Sequence, residues 1–192
     1  MSEIIKIGLI GGMRAGKDTV AEHICYYHGF EYPIAFGSAL KRLAHSIFTD
    51  VPKEPKPRKL YQFMNKMREY DPDVWIKHLE TMYEYYVDRR STSGIVLTDI
   101  RQPNEYEWAR KNGFIIVKVE APAAIRKERA KQSDDFSEED LTHSTESYTD
   151  EFAFDYSITN DGSLGELKAK VDAIMGEIKA KEGRYNARVR RP

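Results

Sequence analysis

Ile4-Ile5-Lys6-Ile7-Gly8-Leu9-Ile10-Gly11-Gly12-Met13-Arg14-Ala15-Gly16-Lys17-Asp18-Thr19 is the stretch on which the fold turns. Its first half is an apolar run rich in β-branched residues and stopped by glycines, which predicts a buried strand. From Asp18 to Tyr27 the pattern becomes helical, with Val20, Ala21 and Ile24 on one face. Between strand and helix, Gly11 and Gly16 permit turns that let consecutive backbone N–H groups face inward. The helix that follows adds its positive N-terminal end, and Lys17 adds a point charge. A Gly-rich loop in this setting cradles phosphates. The candidate nucleotide-binding residues are therefore Gly12, Arg14, Ala15, Gly16, Lys17, Asp18 and Thr19. Asp18 stands where such loops usually carry the Ser or Thr that binds magnesium. The expected division of labour is Thr19 on the α-phosphate and Asp18 on magnesium, directly or through water, since magnesium takes oxygen ligands.

Outward from the loop, strand and helix patterns alternate. A short second strand is predicted over 31–36. Leu40, Leu43, Ala44, Ile47 and Phe48 give a helical face, and Pro52, Pro55 and Pro57 break the chain. Leu60, Phe63, Met64 and Met67 form another stripe. Asp71-Pro72 reads as a helix start, with Trp75, Leu79, Met82, Tyr83 and Tyr86 on the apolar side. Strand patterns return at 95–98, ending in Asp99, and at 114–119. Helices are predicted over 103–112 and 123–131. A last strand, 156–159, ends at Asn160-Asp161-Gly162. Ser163 and Glu166 then have capping-box spacing before the stripe Leu164, Leu167, Val171, Ile174 and Ile178. This alternation implies a parallel sheet covered on both faces, with a ligand site at the C-terminal end of the first strand.

The chain has 192 residues, a length for one domain. Lys plus Arg total 30 and Asp plus Glu total 31, so the net charge is −1, which argues against a dedicated nucleic-acid binder. The single cysteine, Cys25, excludes an internal disulfide and a zinc site built on several thiolates. His23, His28, His45, His78 and His143 show no metal-ligand spacing with carboxylates or Cys25 and read as structural or surface residues. No apolar run approaches the ~20 residues that span a bilayer, and no signal-peptide pattern opens the chain. The expectation is a soluble, cytoplasmic protein with no membrane partner, and homodimerisation is left open. The stretch 183–192 carries four arginines and little apolar content, which favours a disordered end over a nucleic-acid or partner surface.

The loop resembles that of P-loop nucleoside-monophosphate kinases, and its Gly-Lys-Asp-Thr form resembles the phage-type deoxynucleoside monophosphate kinases. The resemblance continues through Ala35-Phe36-Gly37-Ser38-Ala39-Leu40-Lys41, Tyr61-Gln62, Arg68-Glu69 and Asp73-Val74-Trp75. Two more segments carry it: Thr98-Asp99-Ile100-Arg101-Gln102-Pro103-Asn104-Glu105, and Phe154 to Ser163. It implies a three-layer α/β/α P-loop kinase with a mostly parallel five-stranded sheet and a single domain, 1–192. The core would be 1–37, 92–125 and 150–182, with a helical acceptor-binding insert over 38–91 and a small lid at about 126–149. ATP and Mg2+ are implied as cofactors, with a (deoxy)nucleoside monophosphate as acceptor. Asp99 ends a strand and would sit near the magnesium beside Asp18, or else cap a helix. Arg101 and Arg68 would clamp the acceptor phosphate, with Lys41 a weaker candidate. Arg126 and Arg129 would close over the transferring phosphoryl, and Asn160 and Gly162 would contact adenine. Trp75 would stack on the acceptor base, as Tyr61 and Phe63 also could, although aromatics at helical spacing more often form core.

Two other readings share these residues. Dephospho-coenzyme A kinase resembles the loop and the final Asn-Gly turn, but it phosphorylates a hydroxyl and uses a carboxylate base. The stretch 35–41 has no carboxylate, which favours a phosphate acceptor. The same stretch departs from the phage-type pattern, which usually has Asp where Ser38 stands. A P-loop module that binds nucleotide without turnover is the remaining alternative.

Overall fold

The computed structural model describes residues 4–88, 93–131 and 147–189. Its sheet is built from β1 (Ile5–Ile10), β2 (Gly94–Leu97), β3 (Ile115–Glu120) and β4 (Tyr156–Thr159). The order is β2-β1-β3-β4, and every pair is parallel. The sheet thus has four strands among the described residues, where five were expected. The predicted second strand contributes a single parallel bridge, Ile34 to Leu97, on the outer side of β2. Ile34 N–H donates to Val96 O (2.8 Å) and Thr98 N–H donates to Ile34 O (3.1 Å). Pro33 has no N–H to offer, and Phe36 already starts a helix, so the ladder stops there.

Parallel strands need crossovers, and the helices supply them on both faces. α1 (Lys17–His28) and α9 (Leu164–Val189) cover one face. There Ile7 and Leu9 of β1 pack with Val20, Ile24, Val117, Val171 and Met175. α2 (Phe36–Ile47), α5 (Val74–Asp88) and α6 (Pro103–Lys111) cover the other, where Ile10, Phe36, Trp75, Leu79, Trp108 and Ile116 are buried together. Each large side chain so buried contributes about 1.5–3 kcal/mol. Gly8 keeps this second face close-packed: a Cβ there would lie 2.7 Å from Ile100 Cδ1.

The remaining helices are short. α3 (Arg58–Asn65) and α4 (Met67–Tyr70) follow α2, α7 (Ala123–Lys131) follows β3, and α8 (Ser147–Glu151) precedes β4. Asp71 accepts from Asp73 N–H (3.1 Å), so the expected start signal stands just ahead of α5, which begins at Val74. The Ser163–Glu166 capping box opens α9 as expected: Glu166 Oε2 accepts from Ser163 N–H at 2.7 Å. α9 corrects the sequence reading at its other end, because its backbone stays helical to Val189 through most of the basic stretch. Of the lid expected at about 126–149, residues 132–146 lie outside the described residues. No helix among the described residues is long and apolar enough to cross a membrane.

Candidate functional site

The chain leaves β1 at the point where the crossovers diverge, one side to β2 and the other to β3. In an open parallel sheet this is where ligands bind. The loop here has the predicted shape. Gly11 has φ 132°, Gly16 φ 103° and Arg14 φ 61°. Ala15 N–H donates to Gly12 O (3.2 Å), closing the turn. Lys17 is buried, and its Nζ donates to Gly11 O (2.6 Å) and Gly12 O (2.9 Å), so the ammonium lies against the loop it serves.

Asn160 holds this loop from behind. It ends β4, is 5% exposed, and donates through Nδ2 to Ala15 O (2.8 Å). Its Oδ1 accepts from Arg129 Nη2 (3.1 Å). Arg129 Nη1 also donates to Arg14 O (3.4 Å), and Arg126 Nη1 donates to Met13 O (3.5 Å). Both arginines of α7 therefore sit on the loop itself. The Asn160 side-chain amide is committed to the loop, and neither Asn160 nor Gly162 lines the cavity in front of it. Gly162 lies against Glu166, where a Cβ would come within 2.3 Å of Oε2.

In front of the loop opens a cavity of about 690 Å³. Lys17, Asp18, Thr19, Asp99, Arg129, Lys41, Arg68 and Arg101 all line it. The fold thus gathers most of the sequence-predicted site residues. Asp18 is exposed in the first turn of α1, with no partner among the described residues. Asp99 is doubly engaged: Oδ1 accepts from Phe36 N–H (2.7 Å) and Oδ2 from Gly37 N–H (2.8 Å). It anchors the N-terminus of α2, a capping role, while each oxygen keeps a second lone pair. The Arg101 guanidinium is exposed and meets no partner among the described residues.

Trp75 is corrected. It borders the cavity but is 1% exposed, lies against His78, and belongs to the core. Its helical stripe faces the sheet, so it offers no open face for a base. Tyr61 Oη is bonded to His45 Nε2 at 2.9 Å, and Phe63 points outward.

The residue that sequence reasoning passed over is Glu105. It is 2% exposed. Oε1 accepts from Arg68 Nη2 (2.6 Å), and Oε2 accepts from Arg101 N–H (2.9 Å) and Gln102 N–H (3.0 Å). It completes the α6 capping box and ties the insert's arginine to the core in one stroke. Burial, then the neighbouring Asp99 charge, push its carboxyl above the usual range, and Arg68 pulls back. Its position three residues after a potential cap was the available signal. Glu105→Ala leaves two N–H groups and a guanidinium without their acceptor. Urea unfolding is expected to show a loss of about 2–3 kcal/mol.

A second cluster was also missed. His23 Nε2 and His28 Nε2 lie 2.8 and 2.9 Å from the same Oδ1 of Asp172. Spacing along the chain shows no metal set here because the carboxylate comes from α9, far from the two histidines. Those two bonds hold the Asp172 carboxyl below the usual carboxylate range.

Known proteins resemble this chain in sequence or in fold. A mimivirus protein (Acanthamoeba polyphaga mimivirus) called "Putative deoxynucleotide monophosphate kinase" is 23% identical over 146 residues, 62% of this chain and 75% of its own. The crystal structure of TT1252 from Thermus thermophilus superposes with TM-score 0.62 at 19% identity, over 91% of this chain and 98% of that one. A gluconokinase from Sinorhizobium meliloti 1021 gives TM-score 0.56 at 17% identity, over 94% and 97%. The fold is that of the P-loop kinases, and the chain belongs to the AAA domain family AAA_18, whose model matches residues 7–150.

Proposed function

We propose that this chain transfers the γ-phosphoryl group of ATP to the phosphate of a (deoxy)nucleoside monophosphate, giving ADP and the corresponding diphosphate. The observation that carries the reading is the state of the carboxylates in the cavity. A hydroxyl acceptor needs a base; an anionic phosphate does not. Asp99 spends one lone pair of each oxygen on backbone N–H groups and, in this reading, keeps the others for a metal, while Glu105 is taken up by Arg68 and two more N–H groups. That leaves Asp18, which adjoins Lys17 on the triphosphate side. The same cavity is lined by Arg101, Arg68 and Lys41, cationic groups suited to a phosphate. The mimivirus relative's name agrees with this acceptor class.

In this reading the loop N–H groups and Lys17 bind the triphosphate, and Thr19 takes the α-phosphate. Asp18, and Asp99 through its remaining lone pairs, offer the hard oxygen donors that suit Mg2+. The metal supplies charge neutralisation when bound. Arg101 and Arg68 aim the acceptor oxygen, Glu105 holds Arg68 in place, and Arg129 neutralises charge on the transferring group.

Arg101→Ala tests the acceptor side. The acceptor KM is expected to rise about 10–100-fold, the worth of a charge-assisted contact, with the KM for ATP within about threefold. An unchanged acceptor KM would remove Arg101 from the site.

A further inference from the structure

α1 and α9 lie side by side on the face away from α2 and α5, and three side chains meet between them. His23 is 5% exposed at its side chain, His28 closes α1, and Asp172 of α9 is 52% exposed. One potential ligand atom from each falls within 4.8 Å of the others. We propose that His23, His28 and Asp172 form a zinc-binding site that ties α1 to α9.

The donor set is two imidazoles and one carboxylate, the borderline combination that Zn2+ favours. Tetrahedral bonds of about 2.0–2.1 Å place ligand atoms roughly 3.3 Å apart. The observed Nε2–Oδ1 separations are 2.8 and 2.9 Å, so the carboxylate has to withdraw by roughly half an ångström. Asp172 stands on the surface and has that freedom. Its exposure also leaves the fourth position open to water.

Without metal, both Nε2 atoms carry protons and share one oxygen. Coordination through Nε2 moves each proton to Nδ1, and the two Nδ1 environments set the affinity. His28 Nδ1 lies 3.3 Å from Lys179 Nζ, a donor, which has to swing away. Lys179 is exposed and can do so. His23 Nδ1 is buried with no hydrogen-bond partner, so its N–H gains no acceptor. An unpaired buried donor weakens binding about 10–100-fold, which places the site in the micromolar range. The arrangement also predicts how to improve it. Lys179→Glu puts a carboxylate where it accepts a hydrogen bond from His28 Nδ1–H, as the outer partners of zinc-bound histidines do.

The test uses the full chain, stripped of metal by a chelator and titrated with Zn2+ alone. Isothermal titration is expected to show one equivalent binding with micromolar Kd. The melting temperature rises by about 5–10 °C at a hundredfold excess over Kd. Co2+ in the same site gives visible d–d absorption. Asp172→Asn, a surface change that spares packing, and His28→Gln each abolish all three signals, and Lys179→Glu tightens binding about tenfold. No saturable binding by the wild-type chain would overturn the site. So would binding that survives both ligand variants, or a Lys179→Glu affinity no tighter than wild type. None of these readings involves phosphotransfer, so the site stands or falls apart from the proposed activity.

Discussion

Lys17→Met is expected to lower the proposed ATP turnover by about 10³-fold while the protein stays folded. Lys17 brings a full positive charge to the strand end, and its Nζ lies against Gly11 O and Gly12 O. On the proposed reading that ammonium turns to the β- and γ-phosphates and stays on them as charge shifts toward the bridging oxygen. Electrostatic stabilisation of this kind acts in the transition state, so its removal falls on kcat rather than on binding alone. Methionine retains the buried stem and volume. Two loop carbonyls lose their donor, a cost of about 1–2 kcal/mol that a domain of this size tolerates. Circular dichroism should match wild type while ADP release collapses. Turnover within tenfold of wild type would take Lys17 out of the mechanism.

Gly11→Ala is the corresponding experiment on the fold. A Cβ at Gly11 would lie 2.1 Å from Val119 O, a backbone atom of the adjacent strand β3. The neighbour is no flexible side-chain end, so either β1 or β3 must move. The φ of 132° adds strain for any residue with a side chain. The two penalties act on the sheet's central strand pair, and a loss of more than about 4 kcal/mol is expected. The variant should unfold at much lower urea concentration or fail to accumulate. A melting temperature within a few degrees of wild type would contradict the loop geometry.

The contrast between these two positions shows what the sequence discloses and what it does not. β1, the loop and α1 were legible because the constraint is local: β-branched strand residues, glycines where φ must be positive, then a 3.6-residue stripe. α7 and β4 were legible for the same reason. The second strand was misread because its apolar residues serve the core without a ladder, Pro33 lacking the donor. The helical run at 183–189 was misread because low apolar content argued against a packed end, yet a helix already nucleated at Ser163 propagates at little cost per residue.

In the site, Lys17, Asp18, Arg68, Arg101 and Arg129 reach one cavity as their motifs indicated. What stayed hidden was pairing between distant segments. Glu105 meets Arg68 across the insert, Asn160 meets Ala15 across the sheet, and Asp172 meets His23 and His28 across two helices. Spacing along the chain carries none of these. Trp75 failed as a site residue for a related reason: its stripe names a buried face without naming what lies beyond it.

Phosphoryl transfer to a monophosphate is tested by ADP release with ATP and Mg2+, offering each (deoxy)nucleoside monophosphate, then dephospho-coenzyme A, then no acceptor. Turnover is expected with one or a few monophosphates, with the matching diphosphate formed in equal amount. Turnover with dephospho-coenzyme A alone, or ATP binding with no acceptor-dependent turnover, would contradict it.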